Sequence, residues 1–197
     1  YDDIIKEVTE LSNNGYKEIV LTGIHTGRYG IDINSSLEEL LYELVEIPNI
    51  YRIRLSSIEI NEITEGIMDL IKSSKVVARH FHVPLQSGCD KILKSMNRKY
   101  DLEFFKDMVK KIRQLDKDIS ITTDLIVGFP GETEEDFNDT LDVVNACKFD
   151  SAFTFIYSPR IGTPAAKMEN LLTEQEKNER LYRLNELVNK YANEKNS

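Results

Sequence analysis

SITTDLIVGFPGETEEDF, residues 120–137, contains a strand, a turn and a helix start in one uninterrupted stretch. The apolar, β-branched run from Ser120 to Phe129 predicts a strand. Gly128, Pro130 and Gly131 interrupt it, and Thr133 then stands three residues ahead of Asp136, a capping hydroxyl before a carboxylate. From there Phe137, Leu141 and Val144 recur at helical spacing. A strand that hands over directly to a helix is a βα unit, and such units build parallel sheets. Ligands of parallel α/β folds bind at the carboxyl ends of the strands, so the stretch that sets the fold class also marks where chemistry is expected.

The same alternation extends along the chain. Lys17–Gly23, Tyr51–Glu59, Phe81–Gln86 and Ala152–Tyr157 read as further strands, which makes five βα units. Ser36 with Glu39 and Thr173 with Glu176 repeat the capping pattern. Leu102, Phe105, Met108, Val109, Ile112 and Leu115 form one helical face, and a last helix from about Thr173 to Asn193 presents Leu181, Leu184, Leu187, Val188 and Tyr191 opposite a charged side. A closed eight-stranded barrel takes roughly 250 residues. Five strands in 197 residues therefore predict an α/β fold of the partial, open (β/α) barrel type, with its first strand missing. No linker divides the chain, so one domain is expected over 1–197, with βα units over 1–172 and a helix over 173–197.

Composition sets the outer limits. With 41% hydrophobic and 30% charged residues the chain is an ordinary globular one, and no apolar run approaches the roughly 20 residues of a membrane span. No membrane association and a cytoplasmic address are expected. A net charge of −9 argues against this piece holding nucleic acid tightly by itself, because phosphate affinity comes from clustered Lys and Arg. Cys89 and Cys147 are far apart and form no CxxC pair, so both are expected to be free thiols. Tyr1 stands where a natural start would have Met, and the expectation is a piece of a longer protein.

Polar groups and glycines concentrate at the strand ends: Gly23 to Gly27, Ser56 to Glu59, Gln86 to Gly88, Asp124 to Glu132, and Ser158 to Arg160. At VGFPGE, glycines let backbone approach a ligand, and the helix beginning near Thr133 offers free N–H groups; a tight turn and nothing more is the alternative. Glu59 and Asp124 each end an apolar strand, suited either to general-base work or ligand binding, or to a cap or ion pair. Arg160 suits a carboxylate or phosphate, or a neighbouring acid. His80 and His82, two apart in a strand, share a face as a metal-binding pair would, but packed histidines are the plainer reading and no metal is expected. Cys89 is read as an inert buried thiol at a helix start. No residue is assigned as catalytic.

HVPLQSGCDKILKSMNRKY (82–100), TTDLIVGFPGETEEDF (122–137) and FIYSPRIGTPAAKM (155–168) together resemble the methylthiotransferase family of radical S-adenosylmethionine enzymes, in the family's order and spacing. LTGIHTGRYG (21–30) is similar to the subgroup acting on threonylcarbamoyladenosine 37 of tRNA, since the isopentenyladenosine subgroup usually has Gly-Gln-Asn there and the ribosomal-protein subgroup Gln-Asp. The resemblance implies insertion of sulfur and a methyl group at C2 of that adenosine, with S-adenosylmethionine and two 4Fe-4S clusters as cofactors. It implies that Gly23 and His25 meet the methionine amino group, that Ser57, Glu59, Gln86 and Ser87 face the ribose and methionine side, that Gly128 lies on the adenine-contacting backbone, and that Asp124 and Arg160 line the pocket.

The family's CxxxCxxC loop is absent from these residues, and Cys89 and Cys147 cannot replace it. The resemblance places that loop before Tyr1 and an RNA-binding domain after the last helix. The chain alone is accordingly expected to be inactive, to carry no cluster and to bind S-adenosylmethionine weakly or not at all, with tRNA contacted mainly through other domains. Two other readings stand beside this one: a metal-dependent barrel hydrolase or lyase using His80 and His82, and a methylthiotransferase acting on isopentenyladenosine. A non-catalytic scaffold is a third.

Overall fold

The computed structural model describes residues 1–196, with side chains through Lys195; Ser197, the last residue of the expected domain, lies outside the described residues. The chain divides into two compact units, Tyr1–Val83 with Lys111–Ser120, and Pro84–Lys110 with Ile121 onward.

In the first unit, helix α1 (Asp2–Asn13) leads to strand β1 (Glu18–Leu21), α2 (Leu37–Leu44), β2 (Arg52–Leu55), α3 (Glu65–Ser73) and β3 (His80–His82). β1 and β2 are parallel, with Glu18 opposite Arg52 and Leu21 opposite Leu55. Ile53 carries the pairing further: its N–H donates to Val76 O and its C=O accepts from Ala78 N, each at 2.8 Å. Alternation along the strands sorts the faces. Ile19, Ile53 and Leu55 are buried, while Glu18, Val20, Arg52 and Arg54 point the other way and are exposed. α2 adds Leu37, Leu40, Leu41 and Leu44 to the buried set, and α3 adds Ile67, Met68, Leu70 and Ile71. Ser36 caps α2 as expected, accepting from Glu39 N–H at 3.1 Å, but the Glu39 carboxylate takes the Ser35 hydroxyl at 2.8 Å. Thr64 caps α3 by accepting from Ile67 N–H, a cap with no acid at the third position to announce it.

In the second unit come α4 (Asp90–Ser95), α5 (Leu102–Leu115, whose last residues belong to the first unit), β4 (Ser120–Val127), α6 (Glu134–Cys147), β5 (Ser151–Ile156) and α7 (Glu174–Asn196). β4 and β5 are parallel, from Thr122 opposite Ser151 to Val127 opposite Ile156. Ile121, Thr123, Leu125 and Val127 are buried on one face of β4. Phe105, Phe137 and Phe149 are fully buried, and the rings of Phe105 and Phe149 meet edge-on with centroids 6.3 Å apart. The capping boxes at Thr133 and Thr173 both close in full. α7 lies along β5 and α6, joined by Thr154 to Asn185 at 2.6 Å and Tyr191 to Asn145 at 2.7 Å. Leu184, Val188 and Tyr191 are buried there, with Leu181 and Leu187 only partly so.

All five expected strands form, and four are shorter than the sequence suggests, Lys17–Gly23 contracting to Glu18–Leu21 and Ser120–Phe129 to Ser120–Val127. Tyr51–Glu59 contracts to Arg52–Leu55 because Ile60–Glu62 winds into a 3-10 turn. Phe81–Gln86 contracts to His80–His82 ahead of Pro84, which has no N–H to give a ladder. Among the described residues the parallel strands close into no barrel.

Candidate functional site

Beyond β1 the first unit opens. Gly23 and His25 are exposed, and with Thr26 and Tyr29 they line one side of a cavity of about 370 Å³ whose apolar wall includes Ile4, Val8 and Leu11. Polar contacts at this end are long: the Thr26 hydroxyl reaches Gly23 O at 3.4 Å and Ser56 Oγ at 3.5 Å. Ser57 and Glu59 are half-buried beyond β2. Glu59 C=O accepts Glu62 N–H at 2.9 Å, so Glu59 opens the 3-10 turn that brings Glu62 inward. A Cβ on Gly27 would fall 2.5 Å from the Glu62 Cβ, which is why glycine stands there. Burial pushes the Glu62 carboxyl up, the charge of Glu59 adds to this, and His25 and Arg28 only partly offset it. Its Oε2 is buried without a hydrogen-bond partner among the described residues. Sequence reading missed Glu62; its only signal was the three-residue spacing from Glu59.

In the second unit the Gln86–Gly88 segment and the end of β4 are densely bonded, while Ser158–Arg160 beyond β5 are exposed. Gln86 holds a left-handed φ of 72°, uncommon for a residue with a Cβ and maintained only where the surroundings impose it. Its N–H donates to Asp124 O at 2.7 Å and its C=O accepts from Ile126 N at 2.8 Å. Ser87 is fully buried and its Oγ accepts Cys89 N–H at 3.2 Å, so its hydroxyl serves the start of α4. Gly88 lies so close to α6 that a Cβ would meet Thr140 Cα at 2.3 Å. Asp124 does not end its strand: it lies within β4, half-buried, beside Phe153 in register.

The GFPGE turn differs from expectation in one respect. Gly128, at φ 73°, has both backbone groups engaged, its N–H by Glu132 Oε1 at 3.0 Å and its C=O by Asn170 Nδ2 at 2.8 Å. A Cβ there would strike Lys177 Cγ at 2.8 Å. Glu132, 5% exposed, pairs at 2.6 Å with Arg180 of α7, also 5% exposed, and Arg180 in addition reaches Glu132 O and stacks over Phe137. Burial raises the Glu132 carboxyl, with the Gly128 N–H and Arg180 pulling it back. Arg160 is exposed, and among the described residues no acid pairs with it.

Cys89, Asp136 and Asp139 bring three ligand atoms within 4.8 Å of one another, but the set is already satisfied. Asp136 accepts from Thr133 N–H, the Cys89 thiol and Lys91; burial alone would raise its carboxyl, and these partners outweigh burial and hold it at about 2. Burial pushes the Cys89 thiol up, and Cys147 is buried too. His80 and His82 belong to no group of three ligand atoms close enough to share a metal ion among the described residues.

Parallel strands alternating with helices, closing into no barrel among the described residues, define the class: an α/β domain of the partial-barrel kind. The chain belongs to the radical SAM superfamily, whose family model matches residues 1–144. It is 48% identical over 196 residues to tRNA-2-methylthio-N(6)-dimethylallyladenosine synthase of Alkaliphilus oremlandii, covering 98% of this chain and 42% of that protein. It is 45% identical to the threonylcarbamoyladenosine tRNA methylthiotransferase of Bacillus subtilis, covering 98% and 43%. The chain thus spans under half the length of these relatives. Among solved structures, coproporphyrinogen III oxidase of Escherichia coli, itself a radical SAM enzyme, superposes with a TM-score of 0.73 at 20% identity, over 96% of this chain and 45% of that one, a likeness of fold. No described helix is long and apolar enough to cross a membrane.

Proposed function

We propose that this chain is part of the catalytic core of a cytoplasmic tRNA methylthiotransferase that modifies C2 of threonylcarbamoyladenosine 37. One observation carries the reading: Gln86, held in a conformation that costs free energy, is tied by its backbone to Asp124 inside the region that matches the superfamily model. Residues held in sparsely populated backbone conformations cluster at active sites and ligand clamps. Residues 1–172 would carry the βα units and 173–197 the helix leading toward an RNA-binding domain.

The residues fit S-adenosylmethionine, and they do not fit a cluster. Gly23 leaves backbone open beside His25, Ser57 and Glu59 stand half-buried beyond β2, and Arg160 offers a guanidinium with no acid on it. Gly128 takes part through the turn that Glu132 holds, its own N–H and C=O being engaged. Ser87, its hydroxyl accepting Cys89 N–H, would take part through its backbone next to Gln86. Cys89 and Cys147 are buried, so thiolates for a 4Fe-4S cluster would come from outside these residues. When bound together, S-adenosylmethionine and such clusters supply the radical, the sulfur and the methyl group. With a net charge of −9 this region would leave most tRNA contact to other domains.

The LTGIHTGRYG string favours the threonylcarbamoyl substrate, and the 48% identity to the Alkaliphilus synthase favours the dimethylallyl one. Mass spectrometry of nucleosides from tRNA treated with the reconstituted full-length enzyme separates them. The methylthiolated threonylcarbamoyl product is expected; the dimethylallyl product would reassign the substrate, and neither product would overturn the reading.

A further inference from the structure

Gly128 is held on every side by α7 and the residues leading into it. Asn170, just ahead of that helix, donates Nδ2–H to the Gly128 C=O at 2.8 Å. The Gly128 N–H donates to Glu132 Oε1 at 3.0 Å, and the same oxygen receives Arg180 Nη1 at 2.6 Å. Arg180 Nη1 also reaches Glu132 O at 3.2 Å, so one guanidinium nitrogen fixes both ends of the glutamate. The stem of Lys177 fills the space where a Cβ on Gly128 would stand. Both members of the Arg180–Glu132 pair are buried, and a buried ion pair is weak evidence for stability, since well-packed apolar residues often serve as well. What apolar residues cannot do is keep one oxygen in one place, and that oxygen directs the Gly128 N–H.

The consequence falls on the next residue. The peptide bonds are all trans, so the Gly128 C=O and the Phe129 N–H point in opposite directions within one plane. By holding the carbonyl, Asn170 aims that N–H. Along residues 128–133 the N–H groups of Gly128, Glu132 and Thr133 are engaged, whereas those of Phe129 and Gly131 donate to no acceptor among the described residues. Phe129 is only 4% exposed, and a buried backbone N–H without an acceptor is rare.

We propose, on the function assigned above, that Asn170 and Arg180 are positioning residues for S-adenosylmethionine: they orient the peptide at Gly128 so that the Phe129 N–H meets an acceptor nitrogen of the adenine ring. A neutral backbone donor suits an uncharged ring whose nitrogens accept hydrogen bonds. The geometry of the turn is thus set from outside it, by residues more than forty positions further along the chain.

The test measures S-adenosylmethionine binding by calorimetry, beside thermal melting, on the full-length enzyme reconstituted with its clusters and left unreduced so that the ligand is not cleaved. Asn170→Asp turns the donor facing Gly128 O into an acceptor and keeps the oxygen that takes Leu172 N–H. Arg180→Lys keeps the charge and loses the planar guanidinium. Each is expected to raise Kd about fivefold, the worth of one misplaced hydrogen bond, with Asn170→Asp melting near wild type. Val188→Ala, buried further along the same helix, is expected to melt a few degrees lower and to keep the wild-type Kd. Should Arg180→Lys fail to fold, Asn170→Asp decides alone. Affinity that merely follows melting across the variants would make these residues structural and overturn the inference. A Kd unchanged in both Asn170→Asp and Arg180→Lys would also overturn it, leaving the proposed function standing, whereas a wild type that binds no S-adenosylmethionine would overturn both.

Discussion

The strand ends of the two units were built on different principles. In the second unit the Gly128 backbone and the carboxylates of the GFPGE turn are matched: Gly128 to Glu132 and Asn170, Glu132 to Arg180, Thr133 to Asp136; the Tyr157 hydroxyl, its ring edge-on to Phe129, is buried there without a hydrogen-bond partner among the described residues. In the first, Thr26 makes only long contacts and a Glu62 oxygen is buried with no partner. A wall that must hold one shape gains from pre-formed bonds, while a surface left incompletely bonded keeps capacity for something still to bind. The strand ends of the second unit are thus largely pre-bonded, and those of the first keep polar groups still to be met.

Removing Arg180 should break the contrast most severely. Arg180→Ala leaves Glu132 buried and uncompensated, a loss of about 3–5 kcal/mol by analogy with other broken buried pairs. Thermal melting checks this, and a variant that melts like wild type would show the clamp to be ornamental. A smaller effect should follow acidification. The Asp136 pKa of about 2 lies below the ordinary aspartate value of 3.8, so its contribution is present above pH 4 and lost as pH falls toward 2. The difference corresponds to roughly 2 kcal/mol. Asp136→Asn should flatten the stability profile over that interval; an unchanged profile would contradict the assignment. The smallest effect should come from the first unit and carry the opposite sign. A carboxyl raised by burial weakens the fold as pH rises past the normal glutamate value, so Glu62→Gln should melt at or slightly above the wild-type temperature at neutral pH. A clear drop in melting would mean that Glu62 already has the partner the comparison denies it.

The order of elements, all five strands and the helix starts at Ser36, Thr133 and Thr173 were readable beforehand because each depends on neighbours a few residues away. Thr64 escaped notice for want of an acid three residues on. Site residues were readable as positions more than as roles. Ser87 and Gly128 lie where expected, yet Ser87 turns its hydroxyl to Cys89 N–H and Gly128 has no backbone group to spare. Glu132 is the last letter of a motif in sequence, and only its distance to Arg180, 48 residues on, makes it a clamp.

The sequence by itself determined the βα alternation, the absence of clustered cysteines, the acidic charge and the motif strings, since periodicity and composition are properties of the chain alone. Tertiary structure decided which of those polar groups remain available. Gly27 must be glycine because Glu62 closes on it, Gln86 is strained because β4 holds it, and Phe153 and Phe155 stay exposed because α7 covers only the other face of β5. Such facts depend on contacts between residues distant in sequence, where burial and unmet hydrogen bonds set the chemistry.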